Sequence, residues 1–174
     1  MDEKHRTIAD IIDNVRRIFQ ILNEQSKKIE RETGLTGPQL WTIKAIAESS
    51  PVRVLDLAKR IYLHPATVVG ILDRLEARGY LLRRRSGDDR RVVWVELTEK
   101  GNGLLSSAPE VAQGLLASGL ETLGGEKLRD INLSLVQLVA IFGAQKVPPQ
   151  LIRSSEWNVP AGDHPSPERE KREP

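Results

Sequence analysis

Cysteine is absent from the 174 residues of this sequence, which excludes disulfides, thiolate metal sites, iron–sulfur clusters and cysteine-based redox sensing. Aromatic residues make up only 4% of the chain, which argues against an aromatic-rich β-sandwich. No apolar run of about 18 residues, the length of a membrane span, is present. The start of the chain is acidic where a secretion signal is basic, so we expect a cytoplasmic or nucleoid-associated protein without membrane contact.

The sequence also lacks the residue clusters of an enzyme site. Its three histidines, His5, His64 and His164, lie far apart and have no carboxylates at ligand spacing, so we expect no metal site and no cofactor. No nucleophile–base pair and no phosphate-binding loop is recognisable. The sequence therefore predicts a protein that is not an enzyme.

Positive charge is concentrated in the middle of the chain. Residues 53–91 carry 10 bases against 5 acids, whereas residues 1–52 are balanced at 8 of each and residues 92–174 carry 8 bases against 11 acids. A basic segment between neutral and acidic flanks is typical of a protein with one face on a polyanion. The charge count alone fits a solvated arginine-rich loop equally well.

The first part of the chain has the pattern of a long amphipathic helix. Apolar residues recur at three-and-four spacing over residues 4–33, and Gly34 follows as a helix end. A helix of this length usually needs a partner along its whole length.

Three shorter helices follow. Thr36 and Gln39 have the spacing of a capping box at the start of the second helix. A short third helix over residues 54–61 is separated by a three-residue turn from a fourth over residues 65–78, and Gly79 ends the fourth in the left-handed region.

After the fourth helix the hydrophobic period changes from 3.6 to 2. Residues 80–84 and 92–97 read as two strands of a hairpin, with a polar turn between them. A short helix, a tight turn, a longer helix and a basic hairpin together predict a winged helix-turn-helix, with the fourth helix in the major groove of DNA and the hairpin at the minor groove. Asp89 lies two residues before Arg91, a spacing at which the carboxylate braces the guanidinium toward DNA.

The C-terminal part is predicted to be helical and then to lose its apolar pattern. A fifth helix over residues 99–123 is expected to bend near Pro109. The sixth helix is apolar on two sides, which favours a subunit interface. Residues 144–174 are rich in proline and are expected to be disordered or loosely packed, with Leu151 and two further apolar residues of this tail leaving a docking contact open.

Several motifs resemble the multiple antibiotic resistance regulator (MarR) family. The matches are TVVGILDRLEARG at residues 67–79, DRR at residues 89–91 and LTEKG at residues 97–101. The resemblance implies a mainly α fold with a small β-hairpin wing, a winged helix-turn-helix with long N- and C-terminal dimerisation helices. The implied parts are an N-terminal dimerisation helix (1–34), a DNA-binding domain (35–97), C-terminal dimerisation helices (98–143) and the tail (144–174).

The resemblance also implies a function. It implies a homodimeric transcriptional regulator, usually a repressor, that binds a near-palindromic duplex and is often released by a small aromatic or phenolic ligand, typically an anion. Carried over residue by residue, the DNA contacts fall on His64, Pro65, Ala66, Thr67, Val69, Gly70 and Arg74 of the recognition helix and on Arg84, Arg85, Asp89, Arg90 and Arg91 of the wing. The dimerisation contacts fall on Ile8, Ile12, Leu128, Ile131, Leu135, Leu138 and Phe142.

Three recognition-helix positions depart from the family pattern. They are often polar or basic in the family, and here they are His64, Val69 and Gly70. With fewer donors facing the groove, recognition should depend more on thymine methyl contacts and on DNA shape.

Some interpretations stay open at the level of sequence. Trp41 and Lys44, one helical turn apart, are candidates for an effector pocket, although Trp41 fits core packing as well. Arg74 fits a phosphate contact or an ion pair with Asp73 or Glu76. A winged-helix protein–protein adaptor without specific DNA binding is the alternative function.

Overall fold

The computed structural model of the chain describes residues 2–87, 89, 91–149 and 151. In this part of the chain it contains seven helices and three short strands. They are α1 (Glu3–Thr33), α2 (Gly37–Ala47), β1 (Val52–Arg53), α3 (Val54–Arg60), α4 (Pro65–Ala77), β2 (Leu81–Arg85), β3 (Val93–Leu97), α5 (Glu99–Leu105), α6 (Ala112–Glu121) and α7 (Gly125–Ile141).

Local signals in the sequence define the ends of the first four helices. The backbone N–H of Thr36 donates to Gln39 Oε1 (3.0 Å), as the capping-box spacing predicts. Gly34 and Gly79 follow α1 and α4 with φ of +64° and +73°, a conformation that favours glycine. The predicted bounds of these helices are confirmed to within a residue or two.

The wing is a three-stranded antiparallel sheet in the order β1-β3-β2. The predicted hairpin is present, with Leu81 opposite Leu97 and Arg85 opposite Val93. The sequence did not predict β1, whose Val52 lies opposite Val95. Two residues are too short to show a period-2 pattern, and β1 forms because the edge of β3 is available for pairing.

The chain between the sheet and α7 differs from the prediction. A single bent helix over residues 99–123 was expected, and the structure has two helices, α5 and α6, separated by residues 106–111. Pro109 has no N–H to donate to a helix, and Val111 is buried in the core at 1% exposure. The break lies at the predicted place, but the continuous helix was wrong.

The hydrophobic core lies in the middle of the chain. Its buried residues come from the end of α1, from α2, α3, α4 and the sheet, and from Val111. Leu151 packs partly buried against this core; the other two tail residues expected to dock, Ile152 and Trp157, lie outside the described residues. By contrast α6 and α7 contain no buried residue, so these helices and most of α1 extend beyond the core.

No helix in the described residues is long and apolar enough to cross a membrane.

The glycine of the LTEKG motif is required by close packing. Thr98 Oγ1 accepts the backbone N–H of Gly101 (3.2 Å) and donates to the Gly79 carbonyl (2.7 Å), which seats α5 against the end of α4. A Cβ at Gly101 would lie 2.1 Å from the carbonyl oxygen of Tyr80 and 3.3 Å from Leu97 Cβ. A side chain there has no space unless the backbone moves.

We expect Gly101→Ala to lower the free energy of unfolding by about 2 kcal/mol or more, because the added methyl overpacks against a backbone carbonyl. Gly103→Ala, two residues on in the same helix, is the matched control, since its Cβ would meet nothing within 4 Å. This control should gain about 0.5–1 kcal/mol from helix propensity. Urea unfolding measures the change in the free energy of unfolding for both variants, provided that the m-values are unchanged. Equal changes for Gly101→Ala and Gly103→Ala would contradict the packing argument.

Candidate nucleic-acid interface

Helix α4 has one face in the core and the opposite face in solvent. Val68, Ile71, Leu72 and Leu75 are buried at 2% exposure or less. The residues predicted to contact DNA lie on the other side of the helix. Of these, His64, Ala66, Val69 and Arg74 are exposed, and Pro65, Thr67 and Gly70 are partly exposed.

His64 also has a structural role that the sequence analysis missed. Its Nδ1 accepts the backbone N–H of Ala66 (3.3 Å), so the imidazole caps the first turn of α4. Pro65 follows as the first helical residue, where its missing N–H is not needed. The cap holds the imidazole at the end of the helix that is expected to enter the groove.

Gly70 lies in the middle of α4, and the fold does not require glycine there. A Cβ at this position would meet nothing within 4 Å. Glycine in a helix interior costs about 0.5–1 kcal/mol relative to alanine. The packing of the described residues therefore does not explain why glycine occupies this position on the solvent side of α4.

The guanidinium of Arg83 joins the wing to the recognition helix. Its Nη1 lies 2.7 Å from Asp73 Oδ1, and its Nε donates to Glu76 Oε2 (2.9 Å). The Arg83 backbone N–H donates to the other oxygen of Glu76 (3.0 Å). Hydrogen bonding from the Arg83 guanidinium to Glu76 raises the pKa of Arg83. The sequence analysis missed this contact.

The Arg83 contact settles the partners of Arg74. Asp73 and Glu76, the two carboxylates considered for Arg74, both bind Arg83. Within the described residues Arg74 is exposed and makes no ion pair. It thus presents an uncompensated positive charge on the solvent side of α4.

At the tip of the wing, Asp89 holds Arg91. Asp89 Oδ1 accepts the backbone N–H of Arg91 (2.9 Å) and its Nε–H (3.2 Å). The backbone hydrogen bond, and then the side-chain one, lower the pKa of Asp89, because both favour the ionised carboxylate. The Arg91 side chain is 91% exposed, so the guanidinium is oriented by Asp89 and open to solvent.

The other wing arginines differ from one another. Arg84 Nε lies 2.8 Å from Glu96 Oε1 across the sheet, so its charge is already compensated. Arg85 is exposed and has no ion-pair partner in the described part of the chain. Arg90 lies outside the described residues.

The family model of the MarR family matches residues 35–93, which contain α2 to α4 and most of the wing. The uncharacterized HTH-type transcriptional regulator YwhA of Bacillus subtilis (strain 168) is 31% identical over 98 residues, which are 56% of this chain and 70% of YwhA. This chain belongs to the MarR family.

Other similarities agree with MarR membership. The organic hydroperoxide resistance transcriptional regulator of Bacillus subtilis (strain 168) is 29% identical over 118 residues, 68% of this chain and 79% of that protein. The crystal structure of a MepR-like protein complexed with pseudoligands is similar with a TM-score of 0.50 and 28% identity, over 83% of this chain and all of that chain. The winged helix-turn-helix fold is confirmed, and the chain is a DNA-binding transcriptional regulator.

This MarR-family chain also has an apolar cavity beside the DNA-binding part. It has a volume of about 430 Å³ and lies between α2, the turn before α4, α6 and the start of α7. The Trp41 ring lines it, half-buried, and Gly114 of α6 lets that helix approach the indole, since a Cβ there would lie 3.3 Å from Trp41 Nε1. The lining residues are Trp41, Ile61, Tyr62, Leu63, Gln113, Leu116, Ala117, Leu120, Glu121 and Leu128.

Lys44 does not line the apolar cavity. It lies in a neighbouring polar groove, where its Nζ is 3.3 Å from Glu110 Oε2. Trp41 borders both recesses, as do Ala117 and Glu121 of α6, so the polar groove adjoins the apolar cavity. The structure therefore brings Trp41 and Lys44 together at the polar groove, and only Trp41 also lines the apolar cavity.

The residues predicted for dimerisation lie on the surfaces of α1 and α7. Ile8, Ile12, Leu135 and Phe142 are exposed by 45% or more. Leu128 is 36% exposed, and Ile131 and Leu138 are partly buried. Large apolar side chains therefore line the two helices that extend beyond the core.

The contact between Asp89 and Arg91 can be tested by the direction in which DNA affinity changes when Asp89 is removed. If Asp89 orients Arg91 toward DNA, Asp89→Ala should weaken DNA binding by about threefold. In the variant the Arg91 side chain is mobile before binding and loses rotamer entropy when it contacts DNA, whereas in the wild type Asp89 has already ordered it. Simple charge counting predicts the opposite, since the substitution removes a negative charge near a polyanion. Fluorescence anisotropy with labelled duplex measures the change.

A double-mutant cycle supplies the control. Arg91→Ala alone should weaken binding and flatten its salt dependence by about one phosphate equivalent or less. In the Arg91→Ala background, Asp89→Ala should no longer weaken binding. A weakening of equal size in both backgrounds would show that Asp89 does not act through Arg91.

Proposed function

We propose that this regulator is a homodimeric repressor that binds a near-palindromic operator at the nucleoid, in the cytoplasm, and leaves it when a small aromatic ligand occupies the apolar cavity. The observation that carries the proposal is the arrangement of α4 and the wing. The solvent-facing side of α4 makes no core contacts, and Arg74 and Arg85 beside it have no ion-pair partner among the described residues. Arg83 joins α4 to the wing.

The contacts expected with DNA follow from this arrangement. The N-terminal turn of α4 enters the major groove, where Ala66, Val69 and Gly70 offer a smooth surface that suits thymine methyl groups. Arg91, held by Asp89, enters the minor groove, where the negative potential is strongest. Arg74 and Arg85 contact phosphates, which supply affinity without choosing sequence.

The dimer is supported by the surfaces of α1 and α7. Helix α7 has 17 residues and none of them is buried. Leu135 on this helix and Phe142 directly after it are 52% and 69% exposed, which is unfavourable in water for a monomer. Burying such side chains against the same helices of a second copy removes them from water. A twofold dimer would also present two recognition helices to a duplex with twofold symmetry.

Release by a ligand is supported by the position of the cavity. Its walls come both from the DNA-binding part (Trp41, Ile61 and Leu63) and from α6 and α7. A ligand that binds there better in one arrangement of these parts shifts the population toward that arrangement. The chain has no cysteine, so thiol oxidation is not an alternative means of release.

The experiment that tests DNA recognition is selection of bound duplexes from a random pool by the purified protein. We expect enrichment of half-sites about one helical turn apart. The triple variant Arg85→Ala, Arg90→Ala, Arg91→Ala should lose this enrichment. The triple variant Lys4→Ala, Arg16→Ala, Arg31→Ala removes the same charge from exposed positions of α1 and should keep it.

The outcome separates the proposed regulator from the adaptor alternative. Weak binding to every sequence, unchanged by the wing substitutions, would contradict operator recognition. It would favour a winged-helix adaptor that binds a protein partner.

The dimer has its own test. Leu135→Asp should weaken self-association by about a hundredfold, because it places an unpaired carboxylate in an apolar interface. Sedimentation equilibrium of the full chain measures the mass. Leu55→Asp, at a leucine of α3 that is 63% exposed, is the matched control and should leave the dimer intact. A wild-type chain that is monomeric at micromolar concentration would refute the proposal.

A further inference from the structure

Glu121 lies at the mouth of an otherwise apolar cavity. Ile61, Leu63, Leu116, Leu120 and Leu128 form most of the wall. The polar groups that line it are the indole of Trp41, the hydroxyl of Tyr62, the amide of Gln113 and the carboxylate of Glu121. Among the residues that the structure describes, no lysine, arginine or histidine lines the cavity.

The cations nearest to this cavity already have partners. Lys44 and Arg60 lie in the adjoining polar groove, whose lining shares Trp41, Ala117 and Glu121 with the cavity. Lys44 Nζ is 3.3 Å from Glu110, and Arg60 Nη1 is 3.3 Å from Glu48. Within the described residues, Glu121 makes no ion pair with either of them, and its carboxylate is the charged group that lines the cavity.

The contact that Glu121 does make is with Tyr62. The Tyr62 hydroxyl donates to Glu121 Oε1 (2.7 Å) and so joins the turn before α4 to the end of α6. This hydrogen bond is the main cause that raises the pKa of Tyr62. Tyr62 has a φ of +53°, an unusual conformation for a bulky residue.

We propose that the ligand of this cavity is a lipophilic aromatic cation, whose positive charge lies against Glu121 and whose apolar groups fill the space between Trp41 and the leucines. This proposal rests on the ligand-controlled function proposed above and narrows its ligand. The faces of Trp41 and Tyr62 add cation–π attraction. A phenolic anion, which family resemblance implies, would meet a carboxylate and no base in an apolar site, where burying its charge is costly.

The same geometry couples ligand binding to the DNA-binding part. A cation against Glu121 competes with the Tyr62 hydroxyl for the carboxylate. Loss of that hydrogen bond disconnects the turn that leads into α4 from α6. The cation therefore changes the position of the recognition helix relative to the rest of the dimer, and DNA affinity falls as the cavity fills.

The test compares two probes of the same shape and opposite charge, tetraphenylphosphonium and tetraphenylborate. Isothermal titration calorimetry with the full-length protein measures the affinity of each. We expect tetraphenylphosphonium to bind more tightly. Added to the complex with a selected duplex, it should also lower the affinity for DNA, and tetraphenylborate should not.

Three variants locate the effect. Glu121→Gln keeps the size of the side chain and should lower the affinity for tetraphenylphosphonium by about fivefold, the upper range for an exposed charge pair, with no loss for tetraphenylborate. Tyr62→Phe keeps the ring but removes the competing hydroxyl, so the cation should bind more tightly. Glu110→Gln changes a carboxylate of the polar groove that does not line the cavity and should leave both affinities unchanged.

Three outcomes would overturn the inference: equal or tighter binding of tetraphenylborate, a cation preference that survives Glu121→Gln, or no binding of either probe. DNA binding without probe is measured on the same samples. If sequence-specific DNA binding is intact when the probes fail, the ligand assignment is wrong and the proposed regulator stands. If DNA binding is itself absent, the proposed function fails.

Discussion

The contact of Arg83 with Asp73 and Glu76 determines how the two DNA-facing parts of this protein lie relative to each other. Arg83 is on β2 and the two carboxylates are on α4, and the Arg83 backbone N–H also bonds to Glu76. These contacts connect the wing directly to the recognition helix. The same contact occupies the carboxylates beside Arg74, which leaves Arg74 without an ion-pair partner among the described residues.

This pairing pattern explains how a chain with a formal net charge of only +2 presents a basic face. Arg83 and Arg84 pair with carboxylates of their own domain. Arg74 and Arg85 do not, within the described residues, and Arg91 extends into solvent from a carboxylate that orients it. The positions of the carboxylates therefore determine which arginines are neutralised within the domain and which keep an exposed charge on α4 and at the wing tip.

A second constraint comes from the helices outside the core. Most of α1 and all of α6 and α7 contain no fully buried residue within one chain. We propose that their exposed apolar residues pack against a second copy. Between these helices and the DNA-binding part lies the cavity, and the hydrogen bond from Tyr62 to Glu121 crosses its mouth. A ligand at that position acts on the junction between the two parts of the molecule.

Local chemistry in the sequence determined most of the secondary structure: the capping box at Thr36, the left-handed glycines after α1 and α4, and the change of period into the wing all act between residues close in the chain. The spacing of Asp89 and Arg91 predicted their contact for the same reason. Only the tertiary structure decided the pairing of β1 with β3, the burial of Val111 in the core and the partners of Arg83. These features depend on contacts between residues that are far apart in the sequence. Such contacts form when the core packs, and a local sequence pattern does not predict them.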